Sequence, residues 1–286
     1  MQRMPDRKNC LRFTLLGCSS SPGVPRINGD WGACDPDNPK NRRTRCSLLV
    51  ERFGPAGVTR IVIDTSPDFR FQMLAAGADS LDAAVYTHAH ADHIHGIDDL
   101  RQYAIIRRAR IPVYSDRATY RELEEKFGYV FRSAEGSIYP PICDWHEIAP
   151  ARPFVISGQG GSIELLPLLQ IHGPIPSLGF RFGWSGDPSA PTGGFAYCPD
   201  VSDFPVETLK LLQGLDALVI DALQYREHIS HLSLAQALDW IGRLAPRRAI
   251  LTHMHIPLDY ETVQRETPAH VEPAHDGMVI ELALAG

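Results

Sequence analysis

Short apolar runs recur from one end of the chain to the other, at lengths typical of β-strands. The runs are LRFTLLG, CSLLVE, RIVIDT, AAVYTH, IPVYS, SIELLPLLQIH, LGFRFGW, GGFAYC, DALVIDA, RAILTH and GMVIELAL. The early runs follow one another closely, which predicts hairpins in that part of the chain.

Amphipathic stretches lie between several of these runs and predict helices. In SPDFRFQMLAAG, Ser66 is suited to cap the helix, Pro67 to its first turn and Gly77 to its end. In SLAQALDWIGRL, Ser233 and Gln236 have the spacing of a capping box. GIDDLRQYAIIRR and YRELEEKFG predict two further helices.

Strands and helices therefore alternate at both ends of the chain. This order predicts an α/β protein of α+β type, a mixed sandwich rather than a purely parallel doubly wound sheet. We expect a single domain over residues 1–286, with residues 1–10 as an N-terminal tail. Two segments look irregular, 19–45 and 129–154, and we expect 129–154 to be a lid or an insertion.

The composition is that of an ordinary globular protein, with 44% hydrophobic and 22% charged residues. The net charge of -6 argues against extensive binding to a nucleic-acid backbone. No long apolar segment of membrane-span or signal-peptide type occurs, so we expect a cytoplasmic protein without a membrane partner. Six cysteines without a C-x-x-C pair make a disulfide framework improbable at this size.

The stretch VYTHAHADHIHG is the strongest chemical signal in the sequence. It places His88, His90, Asp92 and His93 after one predicted strand and before a predicted helix. The carboxyl ends of strands are where α/β proteins usually place their chemistry. Imidazole and carboxylate groups at this spacing predict a metal site, because both are good ligands for zinc, manganese or iron.

Three other predicted strands end in metal-competent side chains, namely His172, Asp200 and His253. A polar strand end means little by itself. Together with the histidine cluster, however, the three form a ligand set large enough for two adjacent ions.

The order H-x-H-x-D-H, followed by His172, Asp200 and His253, resembles the metallo-β-lactamase superfamily. The resemblance implies an αββα sandwich of two mixed β-sheets flanked by helices. It also implies two divalent ions, manganese or zinc, with Asp64 as a supporting aspartate. The ligand sets that it implies are His88, His90 and His172 for one ion, and Asp92, His93 and His253 for the other. Asp200 and a hydroxide would bridge the two ions.

The early LLGCSSSPGVP and the late LTHMH resemble one branch of that superfamily, the phosphodiesterases that act on phosphoribosyl 1,2-cyclic phosphate. In that branch a histidine just before a late helix protonates the leaving oxygen. The matching residue is His231, and His228 is a nearby competitor. The resemblance implies cleavage of a small phosphodiester, a cyclic ribose phosphate or a nucleotide, by the bridging hydroxide. Asp92 would orient the nucleophile, and His231 would contact the substrate as general acid.

Relatives in this branch can carry a structural zinc on three cysteines of the early loop and a late histidine. Here Cys34 is the single cysteine of that loop before Cys46, and His255 is one residue too close to His253. We therefore expect no structural zinc, and a loop held by hydrogen bonds and packing instead.

Other functions of the same site stay open from the sequence. They are an RNA or DNA nuclease of the tRNase Z type, a non-catalytic metal-containing protein that binds a nucleotide, and a thioesterase or lactonase. We expect a small phosphorylated substrate or nucleotide as partner, no stable nucleic-acid partner, and a homodimer by analogy with relatives. Candidate substrate contacts are the residues Arg42, Arg43, Arg45, Arg101, Arg107, Arg108, Ser19, Ser20 and Ser21.

Overall fold

The computed structural model describes residues 10–133, 135–183 and 193–283. In these residues the chain forms two seven-stranded sheets. The strands in chain order are β1 (Cys10–Gly17), β2 (Ser47–Gly54), β3 (Gly57–Ile63), β4 (Ala83–Val85), β5 (Ile111–Ser115), β6 (Cys143–Glu147), β7 (Phe154–Gly158), β8 (Gly161–His172), β9 (Ile175–Phe182), β10 (Phe195–Cys198), β11 (Ala217–Asp221), β12 (Arg248–Thr252), β13 (Val271–Pro273) and β14 (Met278–Ala283). The helices are α1 (Phe69–Ala76), α2 (Ala91–Ile94), α3 (Leu100–Arg107), α4 (Arg117–Phe127), α5 (Val206–Leu211), α6 (Leu234–Leu244) and α7 (Tyr260–Glu266).

The first sheet has the order β14-β1-β2-β3-β4-β5-β6, and the second β13-β12-β11-β10-β9-β8-β7. The early strands β1, β2 and β3 pair antiparallel, as their close spacing predicts, whereas β3 to β6 pair parallel. In the second sheet β10 to β13 pair parallel. Both sheets are mixed, and the predicted αββα sandwich of the metallo-β-lactamase type is confirmed.

The main core lies between the two sheets, because alternate residues of each strand point to opposite faces. Leu48 and Val50 of β2 belong to this core, and Leu49 between them belongs to a second one that also contains residues of α1, α3 and α4. Phe13 stacks on Phe195 across the sheets, with ring centroids 3.9 Å apart. The first sheet is thus buried on both faces.

The helix ends partly match the expectations from sequence. The capping box of Ser233 and Gln236 is present at α6, and Gly77 ends α1 with φ of 64°. The expected cap at Ser66 is wrong, because α1 begins at Phe69 with Asp68 before it. The Ser66 hydroxyl instead accepts a hydrogen bond from the Asp68 amide and donates one to Gln72.

The segment 129–154 is less irregular than we expected. Cys143–Glu147 forms β6, which pairs with β5 at the edge of the first sheet. Its sequence CDWHE has one buried residue, so it lacks the apolar run by which most of the strands are recognised. The strands β7 and β13 also lie outside the predicted runs. Ala134 lies outside the described residues, as does the tail up to residue 9, and the role of this segment as a lid stays a prediction.

The early loop 19–45 is long, as expected, and is held by many hydrogen bonds. Val24 and Arg43 exchange two backbone hydrogen bonds of 3.0 and 2.9 Å. Asn41 donates to Asp259 Oδ2 at 2.7 Å and accepts from the amide of Tyr260 at 2.8 Å. Cys34 Sγ lies 3.4 Å from the carbonyl oxygen of Ile256. The loop is therefore tied to the segment that follows β12.

Within the described residues, no helix has the length and apolar character needed to cross a bilayer. The helices instead cover the sheets, and their apolar side chains belong to the cores.

Asp276 connects three distant parts of the chain. Its Oδ2 accepts hydrogen bonds from the amide and the hydroxyl of Thr44, at 2.7 and 2.6 Å. Its Oδ1 lies 3.4 Å from Cys18 Sγ. Burial raises the pKa of Asp276 to about 6, although these hydrogen bonds lower it.

We expect Asp276→Asn to change how stability depends on pH. Between about pH 4 and the raised value near 6, the folded protein keeps a proton that the unfolded chain, with an ordinary carboxyl pKa of about 3.9, has released. The free energy of unfolding of the wild type should therefore fall relative to that of Asp276→Asn as pH rises through this window. Chemical denaturation at several pH values, with and without a chelator, measures the difference, and a constant difference would contradict the shift.

Candidate metal centre

Polar side chains from both sheets meet at one edge of the sandwich, at the carboxyl ends of the strands. The residues at or just after the strand ends are Asp64 (β3), His88 (β4), His172 (β8), Asp200 (β10), Asp221 (β11) and His253 (β12). Parallel neighbours end at the same edge, so the pairing of β3 with β4 and of β10, β11 and β12 brings these ends together. The core behind them is apolar.

The cluster after β4 adds three more residues through the short helix α2. His90 immediately precedes α2, and Asp92 and His93 lie inside it. The backbone is extended at His90 and helical from Ala91 onward, so the regular alternation of side chains along an extended strand ends at His90. The structure thus brings all seven predicted metal ligands to one place.

The possible ligand atoms form overlapping groups, within each of which all atoms lie within 4.8 Å of one another. The groups are His88, His90 and His172; His88, His93 and Asp200; Asp92, His93 and His253; His172, Asp200 and His231; and Asp221, His231 and His253. The group of His88, His90 and His172 and the group of Asp92, His93 and His253 are the two ligand sets that the resemblance implies.

Asp200 lies between these two sets. Its Oδ2 is 3.0 Å from His93 Nε2, and its Oδ1 is 3.2 Å from His253 Nε2 and 4.0 Å from His172 Nε2. Its side chain is 2% exposed. One carboxylate therefore faces the ligand atoms of both sets.

Asp64 fixes the first part of the cluster from behind. Asp64 Oδ1 accepts a hydrogen bond from the amide of Thr87 at 2.8 Å. Asp64 Oδ2 accepts hydrogen bonds from the Thr87 hydroxyl at 2.8 Å and from His93 Nδ1 at 2.7 Å. Since the Thr87 hydroxyl donates to Asp64, it accepts from His88 Nδ1, 2.9 Å away. Because the Nδ1 atoms of His88 and His93 make these hydrogen bonds, their Nε2 atoms stay available as metal ligands.

His172 is oriented in the same way by a carbonyl group. Its Nδ1 donates to the carbonyl oxygen of Ser230 at 2.6 Å. Its Nε2 consequently carries a lone pair, and it lies 3.1 Å from His90 Nδ1. Burial lowers the pKa of His172 to about 4, which keeps this lone pair available.

Two residues of the centre have an unusual backbone. Asp64 and His253 have φ of 64° and 58°, in the left-handed region that residues other than glycine rarely adopt. Each immediately follows a strand, β3 and β12 respectively. Such conformations persist where the surrounding structure fixes them. Here Asp64 contacts Thr87 and His93 behind the centre, and His253 belongs to the centre itself.

A metal ion fits this set of donors. Buried atoms without a hydrogen-bond partner in the described residues include His88 Nε2, His93 Nε2, His253 Nε2 and Asp200 Oδ2. Buried polar atoms are normally paired, so several unpaired donor atoms in overlapping groups suit a bound cation. Histidine and aspartate without cysteine suit either zinc or manganese.

The charges of the centre favour a cation at the same point. Burial alone would lower the pKa of His93, but the carboxylates of Asp200, Asp92 and Asp64 raise it well above its usual range. Burial lowers the pKa of His88 well below its usual range. Positive charge is therefore favoured where His93 Nε2 points, and a divalent ion supplies it without adding a proton.

His231, which the sequence singles out as a proton donor, lies beside these residues. Its ring is 4.4 Å from that of His253 and 4.7 Å from that of His172, and its Nδ1 is 3.9 Å from Asp200 Oδ1. Its Nδ1 donates to Asp221 Oδ2 at 2.6 Å. His228 is more exposed, and its ring is 5.4 Å from that of His231.

Asp221 and Thr87 are functional candidates that we did not predict. Asp221 ends β11, in the run DALVIDA, and is fully buried. An apolar run that ends in a carboxylate is the same signal that identified Asp200, so this residue could have been found from the sequence. Thr87 gives no comparable signal, because threonine is common in strands.

The candidate arginines fall into different surroundings. Arg43 is buried inside the early loop, where it donates to Asn41 Oδ1 at 2.9 Å. Arg107 pairs with Asp82 and Arg101 with Asp98. Arg45 alone of these lines a cleft of about 680 Å³ that also contains Asp92 and Ser21. Arg42 is exposed and lies over the ring of Trp31, and Arg108 immediately follows α3 as its C-cap.

Ser19 and Ser20 are buried and do not line the cleft. Ser20 Oγ lies 2.9 Å from His255 Nδ1 and is thus already engaged in a hydrogen bond. Of the three serines, Ser21 is the one that lines the cleft.

Comparisons with known proteins agree with this architecture. The family model of the β-lactamase superfamily domain matches residues 59–254. A diphosphatase of the PhnP family is 32% identical, covers 96% of this chain and 98% of its own, and superposes with a TM-score of 0.82. Zinc-bound PqqB from Methylobacterium extorquens is 17% identical over 95% of this chain and all of its own, with a TM-score of 0.72. The short form of human tRNase Z is 18% identical over 94% of this chain and 98% of its own, with a TM-score of 0.60.

A curated relative is named octanoyltransferase, from Porphyromonas gingivalis. It is 35% identical over 273 residues, which are 94% of this chain and 51% of that protein. The chain thus spans about half the length of this relative, whose name describes the longer protein.

The family model covers the histidine cluster and the later ligand candidates up to His253. The fold implies divalent metal binding, and the histidine and aspartate groups found here can provide it. The similarity to a PhnP-family protein supports the branch that the early loop and LTHMH resemble. The chain therefore belongs to the β-lactamase superfamily, with the fold of its metal-dependent hydrolases, and within it is similar to the PhnP family.

Proposed function

We propose that this protein is a phosphodiesterase that uses two divalent metal ions, zinc or manganese, to cleave a small phosphodiester. The observation that carries the proposal is the pair His231–Asp221. Neither implied ligand set needs this imidazole, yet it lies 3.9 Å from Asp200 and is held by a buried carboxylate at 2.6 Å. A proton donor beside a metal centre is expected for a reaction whose leaving group is a poor one.

The ligands would divide as the resemblance implies. His88, His90 and His172 would hold one ion, Asp92, His93 and His253 the other, and Asp200 would contact both. When bound, two such ions supply positive charge beside the phosphoryl oxygens and lower the pKa of water, so that hydroxide is available near neutral pH.

Residues of the chain would orient the metal ligands and the nucleophile. Asp64, Thr87 and Ser230 orient the imidazoles through the hydrogen bonds described above, and the apolar core excludes water from behind. Asp92, which lines the cleft, would both ligate and orient the nucleophile. Its pKa is low, because His93 and His253 outweigh the effect of burial, so it is ionised.

His231 would give a proton to the leaving alkoxide from its Nε2. The hydrogen bond from Nδ1 to Asp221 fixes the ring and leaves Nε2 for the substrate. Proton donation requires a proton on both ring nitrogens, with Nδ1–H bonded to Asp221 and Nε2–H toward the substrate. Burial lowers the pKa of His231, and the carboxylates of Asp200 and Asp92 oppose this effect.

A second candidate reaction is hydrolysis of a diphosphate bond. The observation that favours it is the PhnP-family relative, which is described as a diphosphatase and is 32% identical over almost the whole chain. Both reactions would need the metal centre to act on a phosphoryl group, so the leaving group distinguishes them. Parallel assays with a cyclic nucleotide and with ADP-ribose compare the two reactions directly.

We expect purified protein to contain about two metal ions per chain and to hydrolyse bis-p-nitrophenyl phosphate. Asp200→Ala should lose both the metal and the activity, because this carboxylate faces both ligand sets. Asp203→Ala, an exposed carboxylate three residues further along, is the matched control and should behave as the wild type. A fully loaded wild type without activity on any phosphodiester would disprove the proposed reaction.

We expect His231→Ala to be selective for the leaving group. Loss of a general acid typically costs about 10²–10⁴ in rate, but only where the leaving oxygen needs a proton. The variant should therefore lose activity on 2′,3′-cyclic AMP, whose leaving group is an alkoxide, far more than on bis-p-nitrophenyl phosphate. His228→Ala serves as control. Equal losses on both substrates would show that His231 binds substrate or metal rather than donating a proton.

We expect Asp64→Ala to weaken metal binding by about 10- to 100-fold, the usual effect of removing a partner that orients ligands. Asp64 accepts three hydrogen bonds from Thr87 and His93, and it is not itself in either ligand set. Competition with a chromophoric chelator measures the affinity. Asp276→Asn, a carboxyl change outside the centre, is the control, and an unchanged affinity in Asp64→Ala would refute the supporting role.

A further inference from the structure

The cleft beside Asp92 has a second wall, formed by the turn of residues 21–30. The same cleft of about 680 Å³ is lined by Asp92 at one side and by Arg26, Ile27 and Asn28 at the other. Asp92 is a candidate ligand, so this cleft joins one member of the candidate metal centre to Arg26.

Arg26 is held in place by two groups. One terminal nitrogen donates to Asp30 Oδ2 at 3.1 Å, and the other lies 2.6 Å from His255 Nε2. A guanidinium can only donate, so His255 Nε2 accepts, and its Nδ1 donates to the buried Ser20 hydroxyl at 2.9 Å. The backbone turn is closed by the amide of Arg26 donating to the Asp30 carbonyl at 3.0 Å.

The guanidinium keeps unused donors. Of its five N–H groups, two have partners among the described residues. The side chain is 42% exposed, against 26% for Arg45, whose Nε lies 3.0 Å from Asp68 Oδ2. Both arginines of this cleft therefore have donors open to a bound molecule, and Arg26 is the more exposed of the two.

We propose that Arg26 is a specificity residue, whose guanidinium binds a second phosphoryl group of the substrate, one that is not cleaved. This inference rests on the proposed function, because it needs the scissile phosphodiester at the metal centre. The planar fork of a guanidinium fits phosphate oxygens with two parallel hydrogen bonds. Because Asp30 and His255 already restrict the side chain, little conformational freedom is lost when phosphate binds.

The role of His255 follows from the same geometry. It lies two residues after His253, and it connects the buried Ser20 to Arg26. His255 is thus a positioning residue for the guanidinium, and the early loop, although it lacks the cysteines of a zinc site, is still joined to the metal centre through this histidine.

The test uses two substrates that differ by one phosphate. Thymidine 5′-(p-nitrophenyl phosphate) has a single phosphodiester, and its 3′-phosphorylated form adds a second phosphoryl group with the same leaving group. We expect the wild type to prefer the 3′-phosphorylated substrate, mainly through a lower KM. Charge-assisted hydrogen bonds of this kind correspond to about 10- to 100-fold in kcat/KM.

Arg26→Ala should reduce that preference by about the same 10- to 100-fold, and Arg26→Lys should restore part of it. Arg42→Ala removes the same charge from the same loop at an exposed position over Trp31, outside the cleft lining, and should leave the preference unchanged. If Arg26→Ala lowers kcat/KM for both substrates equally, or changes neither, the proposal is wrong, because a merely structural role affects both alike.

Failure of the proposed reaction would be visible separately. If the metal-loaded wild type hydrolyses neither substrate, the phosphodiesterase is disproved, and binding then decides the role of Arg26. Calorimetry would compare thymidine 3′,5′-bisphosphate with thymidine 5′-phosphate for the wild type and Arg26→Ala. Tighter binding of the bisphosphate that is lost in Arg26→Ala supports the phosphoryl site, and equal affinities overturn it.

Discussion

Buried negative charge is the constraint on which this structure depends. Three carboxylates at one edge of the sandwich are at most 2% exposed, those of Asp64, Asp200 and Asp221. Asp92 beside them is 9% exposed. An unpaired buried carboxylate costs several kcal/mol, so the edge needs donors and positive charge. Thr87 and Val201 supply amides, and imidazoles from both sheets supply further donors. The nitrogens that these contacts leave unpaired face one another, which is why the same edge suits metal ions.

The sequence contained most of this centre, for a physical reason. Each candidate ligand ends or follows a buried strand, and a polar side chain directly after an apolar run is visible without a structure. His172 and His253 were found in this way, and Asp221 could have been. Thr87 could not, because its role arises from hydrogen bonds to Asp64 and His88 that exist only once β3 and β4 are paired. Strand β6 was missed because one face of it is solvated and its residues are mostly polar.

The early loop is held by contacts among its own residues and with the segment that follows β12. Cys34 lies against carbonyl oxygens, and Asn41 and Asp259 connect the loop to the start of α7. Arg43 is buried within it and donates to Asn41. Polar side chains and backbone groups therefore fix the loop, and His255 is left to contact Ser20 and Arg26.

The parts of the site differ in how firmly the fold determines them. His231 is fixed by Asp221 at the end of β11, and the backbone beside it is fixed by the bond from the Leu232 amide to the Val201 carbonyl at 3.0 Å and by the capping box of α6. Arg26 lies on an exposed turn, and its contacts are with side chains. A substitution in the turn leaves the sheets and their ends unchanged, whereas a change at His231 or Asp221 alters the centre. The proposed function thus assigns chemistry to the rigid strand ends and substrate choice to the loop, where sequence can change without loss of the fold.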